Sequence, residues 1–106
     1  NHEARGSAKA AVAGRALGTA ATYADKGIRV NCVHPGLVVS PLAGRLTDSD
    51  EAIARNSKPN PMQRIGRGPD IAGLMAFLLS DEAGWITGQN INIDGGQALI
   101  HPLPRA

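Results

Sequence analysis

The apolar and polar positions of this chain first predict one long helix. Residues 4–26 contain no proline, are rich in alanine and are followed by Gly27, a residue type that commonly ends helices. The apolar positions of this segment lie on more than one helical face, and Gly14 and Gly18 lie between them. Such a helix is normally covered on more than one side, so we expect it to contact both a sheet and a second helix.

Two short runs in which β-branched residues alternate with polar ones predict strands. Residues 28–33 place Ile28 and Val30 on one face, and we expect Pro35 to end this strand. Residues 90–94 form the second predicted strand. Because a helical segment separates the two, they are expected to pair in parallel, as in a βαβ unit.

The segment between the strands is predicted to contain two helices. Residues 41–61 are rich in loop-forming residues, with a short helix expected over residues 49–55. Pro69 favours a helix start, and the apolar run that follows predicts a helix to about residue 80. Residues 97–106 contain two prolines and are predicted to be an irregular tail. The fold class is therefore α/β, in a single partial domain over residues 1–106.

Composition and charge exclude several classes of function. Eleven basic residues against nine acidic ones give a net charge of +2, and the basic residues form no cluster. Only 3% of the residues are aromatic, so neither a basic patch nor a stacking platform for nucleic acid is indicated. The single cysteine, Cys32, excludes an internal disulfide, and no spacing of His, Asp and Glu indicates a metal site.

The distribution of apolar residues predicts no membrane association. No stretch of about 18 apolar residues is present, and no signal-peptide pattern opens the chain. We therefore expect a cytoplasmic protein.

Three blocks of sequence carry a resemblance to a known family. They are residues 7–12 (SAKAAV), residues 34–41 (HPGLVVSP), and the stretch from residues 65–67 (IGR) to residues 91–96 (INIDGG). In this order and spacing they resemble the C-terminal part of a short-chain dehydrogenase/reductase. The resemblance implies the C-terminal part of a Rossmann-like, doubly wound parallel sheet. It also implies hydride transfer between NAD or NADP and a small-molecule alcohol or carbonyl.

The resemblance also implies site residues. Lys9 matches the family's catalytic lysine, which binds the ribose hydroxyls of the nicotinamide and lowers the pKa of a tyrosine. The loop after the first strand matches the wall of the nicotinamide site. Its implied cofactor-binding residues are Pro35, Gly36, Leu37, Val38 and Ser40.

Arg5 occupies the position, four residues before Lys9, at which the family carries its catalytic tyrosine. Residues four apart share a helical face, so a lysine can lower the pKa of a tyrosine from about 10 and let it exchange a proton. An arginine stays protonated up to a pH of about 12 and cannot exchange one. The single tyrosine, Tyr23, lies fourteen residues after Lys9, which is roughly 21 Å along the predicted helix, so Tyr23 is not the missing acid.

The length of the chain and the identity of Arg5 predict a fragment that is inactive alone. A complete dinucleotide-binding fold needs more than 106 residues, and no glycine-rich phosphate-binding turn is present. An alternative is a non-catalytic interaction module that pairs through the helix over residues 4–26, with itself or with a relative. The family packs this helix in a dimer, which implies a homo-oligomer. A third alternative is that residues 1–6 are a truncation or frameshift scar.

Overall fold

The computed structural model describes the backbone of residues 2–100 and the side chains of residues 10–100. The side chains of Arg5 and Lys9 lie outside the described residues. The helices are α1 (His2–Tyr23), α2 (Asp50–Ser57), α3 (Gly68–Leu79) and α4 (Gln97–Ile100), and the strands are β1 (Cys32–Pro35) and β2 (Asn90–Ile93). Short 3₁₀ helices cover Ala24–Lys26, Pro41–Leu46 and Asp81–Ala83. The predicted α/β class is confirmed.

The two strands pair in one parallel sheet. The Cys32 N–H donates to Gln89 O at 2.8 Å, and the Gly36 N–H donates to Ile93 O at 3.1 Å. Both partners advance by the same number of residues, which is the pattern of a parallel ladder. The predicted parallel pairing is confirmed.

The first strand begins and ends later than predicted. The strand covers Cys32–Pro35 instead of residues 28–33. Before Cys32 the ladder is not regular, because two of the hydrogen bonds to the segment before β2 are made by side-chain oxygens instead of backbone carbonyls. The Val30 N–H donates to Thr87 Oγ1 at 3.1 Å, and the Gln89 N–H donates to Asn31 Oδ1 at 3.0 Å. Pro35 is the last residue of the strand, as predicted, although the Gly36 N–H beyond it still donates to Ile93 O. The N–H groups of residues 32 and 36 point to β2, so the missing N–H of Pro35 falls on the opposite edge.

The chain divides into two compact units, and the prediction of one partial domain stays a prediction. The first unit comprises Asn1–Val33 and Phe77–Ile91. In it, α1 continues into a 3₁₀ turn and ends at Gly27, which has a φ of 76° as expected of a helix-ending glycine. Ala20 of α1 is only 2% exposed. A Cβ at Gly88 would lie 3.5 Å from the Ala20 Cβ, so the helix packs closely on the turn before β2.

The second unit comprises His34–Ala76 and Asn92–Ala106. Its helix α2 begins after Ser49, whose side chain accepts a hydrogen bond from the Ala52 N–H at 3.1 Å. The predicted irregular tail is wrong in its first turn, because Gln97–Ile100 forms α4. The Asp94 carboxylate accepts from the N–H groups of Gly96 and Ala98 at 2.9 and 3.0 Å and so begins this helix. Residues 101–106 of the predicted tail lie outside the described residues.

No helix in the described part of the chain is long and apolar enough to cross a membrane.

Candidate functional site

The loop that follows β1 forms one wall of an open depression in the second unit. The depression has a volume of about 380 Å³. Its lining residues are Pro35, Gly36, Leu37, Val38, Ser40, Leu42, Ala43 and Ile71. All the loop residues implied by the family resemblance as cofactor-binding therefore face one space. Whether they bind a cofactor stays a prediction, as does the role of Lys9, whose side chain lies outside the described residues.

Gly36 has no room for a side chain. A Cβ at this position would lie 2.7 Å from the Asp94 Cβ and 3.0 Å from the Asp94 Cα, closer than nonbonded carbon atoms approach. The Gly36 N–H also donates to Ile93 O, which ties the loop to the end of β2. Packing of β1 against β2 thus accounts for the glycine at this position.

Gly66 holds the next residues of the loop in an extended conformation. The Gly66 N–H donates to Leu37 O at 3.0 Å, and the Val39 N–H donates to Gly66 O at 2.9 Å. In this parallel bridge, Val38 pairs with Gly66 through its two neighbours. The N–H and C=O of Val38 itself therefore point to the edge away from Gly66. Val38 is also one of the residues that line the depression.

Ser40 ends the extended segment and begins the 3₁₀ helix Pro41–Leu46. Its Oγ accepts from the Ala43 N–H at 3.2 Å, and a hydroxyl that accepts one bond still has a proton to donate. The Ser40 backbone is held by Thr47, a residue that the sequence reasoning did not identify. Thr47 belongs to no periodic pattern, so the sequence contained no signal for it.

An ion pair anchors the segment that contains Gly66. Two nitrogens of the Arg64 guanidinium each donate to an Asp70 carboxylate oxygen at 2.8 Å, and the Arg67 N–H donates to the same carboxylate at 2.7 Å. The hydrogen bonds from Arg64 and then from Arg67 hold the pKa of the Asp70 carboxyl well below its usual range. Asp70 lies in the first turn of α3, where its carboxylate also bonds the N–H that precedes the helix.

Asp94, which directly follows β2, uses its carboxylate to accept hydrogen bonds from backbone N–H groups. Its two carboxylate oxygens accept the bonds that begin α4, and its own carbonyl accepts from Asn60 Nδ2 at 2.8 Å. These contacts give Asp94 a structural role at the end of β2. Within the side chains that the structure describes, no group of three His, Cys, Asp or Glu residues could hold a metal ion.

Comparisons with known proteins agree on one family. A family model described as enoyl-(acyl carrier protein) reductase matches residues 1–98. Cyclohexanol dehydrogenase of Acinetobacter sp. (strain SE19) is 40% identical over 88 residues, which are 83% of this chain and 33% of that enzyme. The chain thus spans about a third of the length of the curated relatives that it matches.

Solved structures give the same result. The structure of ElxO with NADP bound has a TM-score of 0.78 and 38% identity, and the match covers 89% of this chain and 38% of ElxO. A short-chain type dehydrogenase/reductase from Mycobacterium ulcerans has a TM-score of 0.76 and 38% identity, covering 86% of this chain and 33% of that protein. As its sequence blocks predicted, this chain belongs to the short-chain dehydrogenase/reductase family.

Proposed function

We propose that this chain forms the nicotinamide-facing part of an NAD- or NADP-dependent oxidoreductase that acts on a small alcohol or carbonyl compound. The single observation that supports it most is that Pro35, Gly36, Leu37, Val38 and Ser40 line one depression. They are the same loop residues that the family resemblance of the sequence implies as cofactor-binding. The NADP bound to the related protein ElxO supports the same class of cofactor.

The chemistry of the depression fits a nicotinamide. Its volume of about 380 Å³ lies within the range of about 300–1,000 Å³ that is typical of small-molecule sites. A carboxamide offers one N–H donor face and one carbonyl acceptor, which the backbone C=O and N–H of Val38 complement. The Ser40 hydroxyl adds a further donor at the rim. Leu37 and Ile71 supply apolar surface for the ring.

In this proposal the cofactor supplies hydride transfer, and the residues of the chain orient it. Lys9 would hold the ribose hydroxyls, as the resemblance implies. A proton must also move between the substrate oxygen and an acid or base, and Arg5 cannot exchange one near neutral pH. The chain by itself is therefore proposed to bind the nicotinamide end without turnover.

Amide chemical shifts of the ¹⁵N-labelled chain test this proposal. Reduced nicotinamide mononucleotide, titrated to millimolar concentration, should shift the amides of Gly36, Leu37, Val38 and Ser40. Adenosine diphosphate serves as the control ligand, because the chain shows no glycine-rich turn for a pyrophosphate. The amides of the 3₁₀ helix Asp81–Ala83, which is not part of the lining of the depression, report on non-specific effects. Equal shifts with both ligands, or none with either, would contradict the proposal.

A second candidate function is association through α1, with a second copy or with a longer relative. Val12 and Leu17 on this helix are 58% and 49% exposed. A Cβ built at Gly14 or Gly18 would meet nothing within 4 Å, so the face of α1 that carries these glycines and Leu17 has open space beside it. Exposed apolar surface of this kind is typical of interfaces. Association in the cytoplasm is compatible with the first proposal, because Gly14, Leu17 and Gly18 are not among the residues that line the depression.

A further inference from the structure

Thr47 closes a loop of eight residues onto Ser40. The Ser40 N–H donates to Thr47 Oγ1 at 3.3 Å, and Thr47 Oγ1 donates to Ser40 O at 3.2 Å. One hydroxyl thus satisfies both backbone groups of one residue. Thr47 is only 6% exposed, and among the described residues it is the single buried polar residue.

The loop that Thr47 closes has little regular structure to hold it. The 3₁₀ segment Pro41–Leu46 is interrupted at Gly44, which has a φ of 56° and a ψ of −126°. The far end of the loop is seated by a bond from Asn56 Nδ2 to Leu46 O at 3.0 Å. Because the segment is kinked at Gly44, no continuous helix connects Ser40 to Thr47.

Ser40 in turn positions the loop at the depression. The Ala43 N–H is shared between the Ser40 carbonyl and the Ser40 Oγ, at 3.2 Å to each. Both atoms that accept the Ala43 N–H therefore belong to Ser40, whose backbone is hydrogen-bonded to Thr47. Ser40 and Ala43 both line the depression.

We infer that Thr47 is a positioning residue, which fixes the Ser40 hydroxyl at the rim of the depression and so orients the cofactor contact of Ser40. Thr47 itself does not line the depression. This inference rests on the proposed function for its ligand, a nicotinamide nucleotide, but its structural part can be measured without one.

Amide hydrogen exchange of the full chain tests the inference. Thr47→Val keeps the shape of the side chain and removes the hydroxyl, and it should speed exchange of the Ser40 and Ala43 amides by roughly tenfold. Thr47→Ser keeps the hydroxyl and should restore slow exchange at both. Thr22→Val is the matched control, since it removes a hydroxyl that bonds Gly18 O in α1 and should leave both amides unchanged.

A second variant keeps the test decisive if Thr47→Val does not fold. Ser40→Ala removes the Oγ acceptor and should speed exchange at Ala43, while the amide at position 40 stays protected because Thr47 still holds it. Unchanged exchange at Ser40 in Thr47→Val would overturn the inference, and so would loss of protection at position 40 in Ser40→Ala.

The same samples separate this inference from the proposed function. Titration with reduced nicotinamide mononucleotide should shift the Ser40 amide in the wild-type chain and in Thr47→Ser, and at least several-fold less in Thr47→Val. Absence of shifts in the wild-type chain would remove the proposed ligand but leave the exchange result to decide whether Thr47 positions Ser40. Equal shifts in wild type and Thr47→Val would overturn the role of Thr47 in orienting the contact.

Discussion

At the scale of single residues, the contact between Gly36 and Asp94 explains why the loop can start where it does. The space that a side chain at position 36 would need is occupied by the Cβ and Cα of Asp94. Asp94 cannot give way easily, because its carboxylate and its carbonyl are all engaged in hydrogen bonds. A side chain at position 36 would therefore disturb both the carboxyl end of β1 and the start of α4, where Asp94 bonds the backbone.

Substitution of Gly36 by alanine should destabilise the chain. We expect Gly36→Ala to lower the free energy of unfolding by about 1–3 kcal/mol, because the new methyl group must displace Asp94. Gly73→Ala is the control: a Cβ there meets nothing within 4 Å in α3, and alanine should stabilise that helix by about 0.5–1 kcal/mol. Urea unfolding measures both. Equal midpoints for Gly36→Ala and the wild-type chain would contradict the packing argument.

At the scale of elements, α1 differs from the other helices in the amount of small-residue surface it exposes. Its single buried residue among those described is Ala20, while Val12 and Leu17 remain about half exposed. Glycines in the middle of a helix cost stability, so a helix that keeps Gly14 and Gly18 is typical of one that a second surface approaches closely. The structure leaves both positions open on the side where such a surface would lie.

A large residue at Gly14 should weaken self-association without disturbing the fold. Gly14→Leu meets no atom of its own chain within 4 Å of its Cβ, so its effect would arise at the interface. We expect the dissociation constant to rise about tenfold, which corresponds to about 1.4 kcal/mol. Gly73→Leu in α3 adds the same side chain at another open position and should leave the constant unchanged. Analytical ultracentrifugation measures it, and a wild-type chain that stays monomeric at micromolar concentration would contradict the proposal.

At the scale of the whole molecule, the chain contains a candidate nicotinamide wall but lacks a recognisable proton-transfer residue. The chain belongs to the short-chain dehydrogenase/reductase family and spans about a third of the length of its curated relatives. Arg5 takes the place of the tyrosine, and the glycine-rich turn that would hold a pyrophosphate does not occur in the sequence. Both differences predict that the chain alone does not catalyse hydride transfer in solution.

The purified chain should show no turnover of NADH or NADPH with simple ketones, nor of NAD or NADP with simple alcohols. Absorbance at the reduced-cofactor wavelength measures the rate, and Lys9→Ala provides the background. Arg5→Tyr should also remain inactive, because cofactor affinity depends largely on a phosphate-binding turn at a helix N-terminus. Turnover by the wild-type chain above the Lys9→Ala background would show that another group supplies the proton.

The elements with strong local signals were predicted closely. Gly27 and Pro69 mark the end of α1 and the start of α3, because helix termini depend on backbone preferences of single residues. The predicted start of β1, residue 28, lies four residues before the observed start at Cys32. The reason is that Val30 and Asn31 form hydrogen bonds, on either side of Gly88, that involve side-chain oxygens, and these do not continue the ladder. Whether an extended segment such as residues 28–33 forms regular strand hydrogen bonds depends on the backbone of the segment that pairs with it.

The sequence by itself determined the α/β class and the parallel pairing of the strands, since these follow from periodicity within single segments. The loop residues of the candidate site were predicted from motif blocks, and the structure shows that they line one depression. The tertiary structure alone decided why Gly36 must be a glycine and how Ser40 is held. Asp94 lies 58 residues from Gly36 in the sequence, and Thr47 reaches Ser40 across a kinked loop. Contacts between distant segments leave no periodic pattern, so these two roles become visible only when the chain is folded.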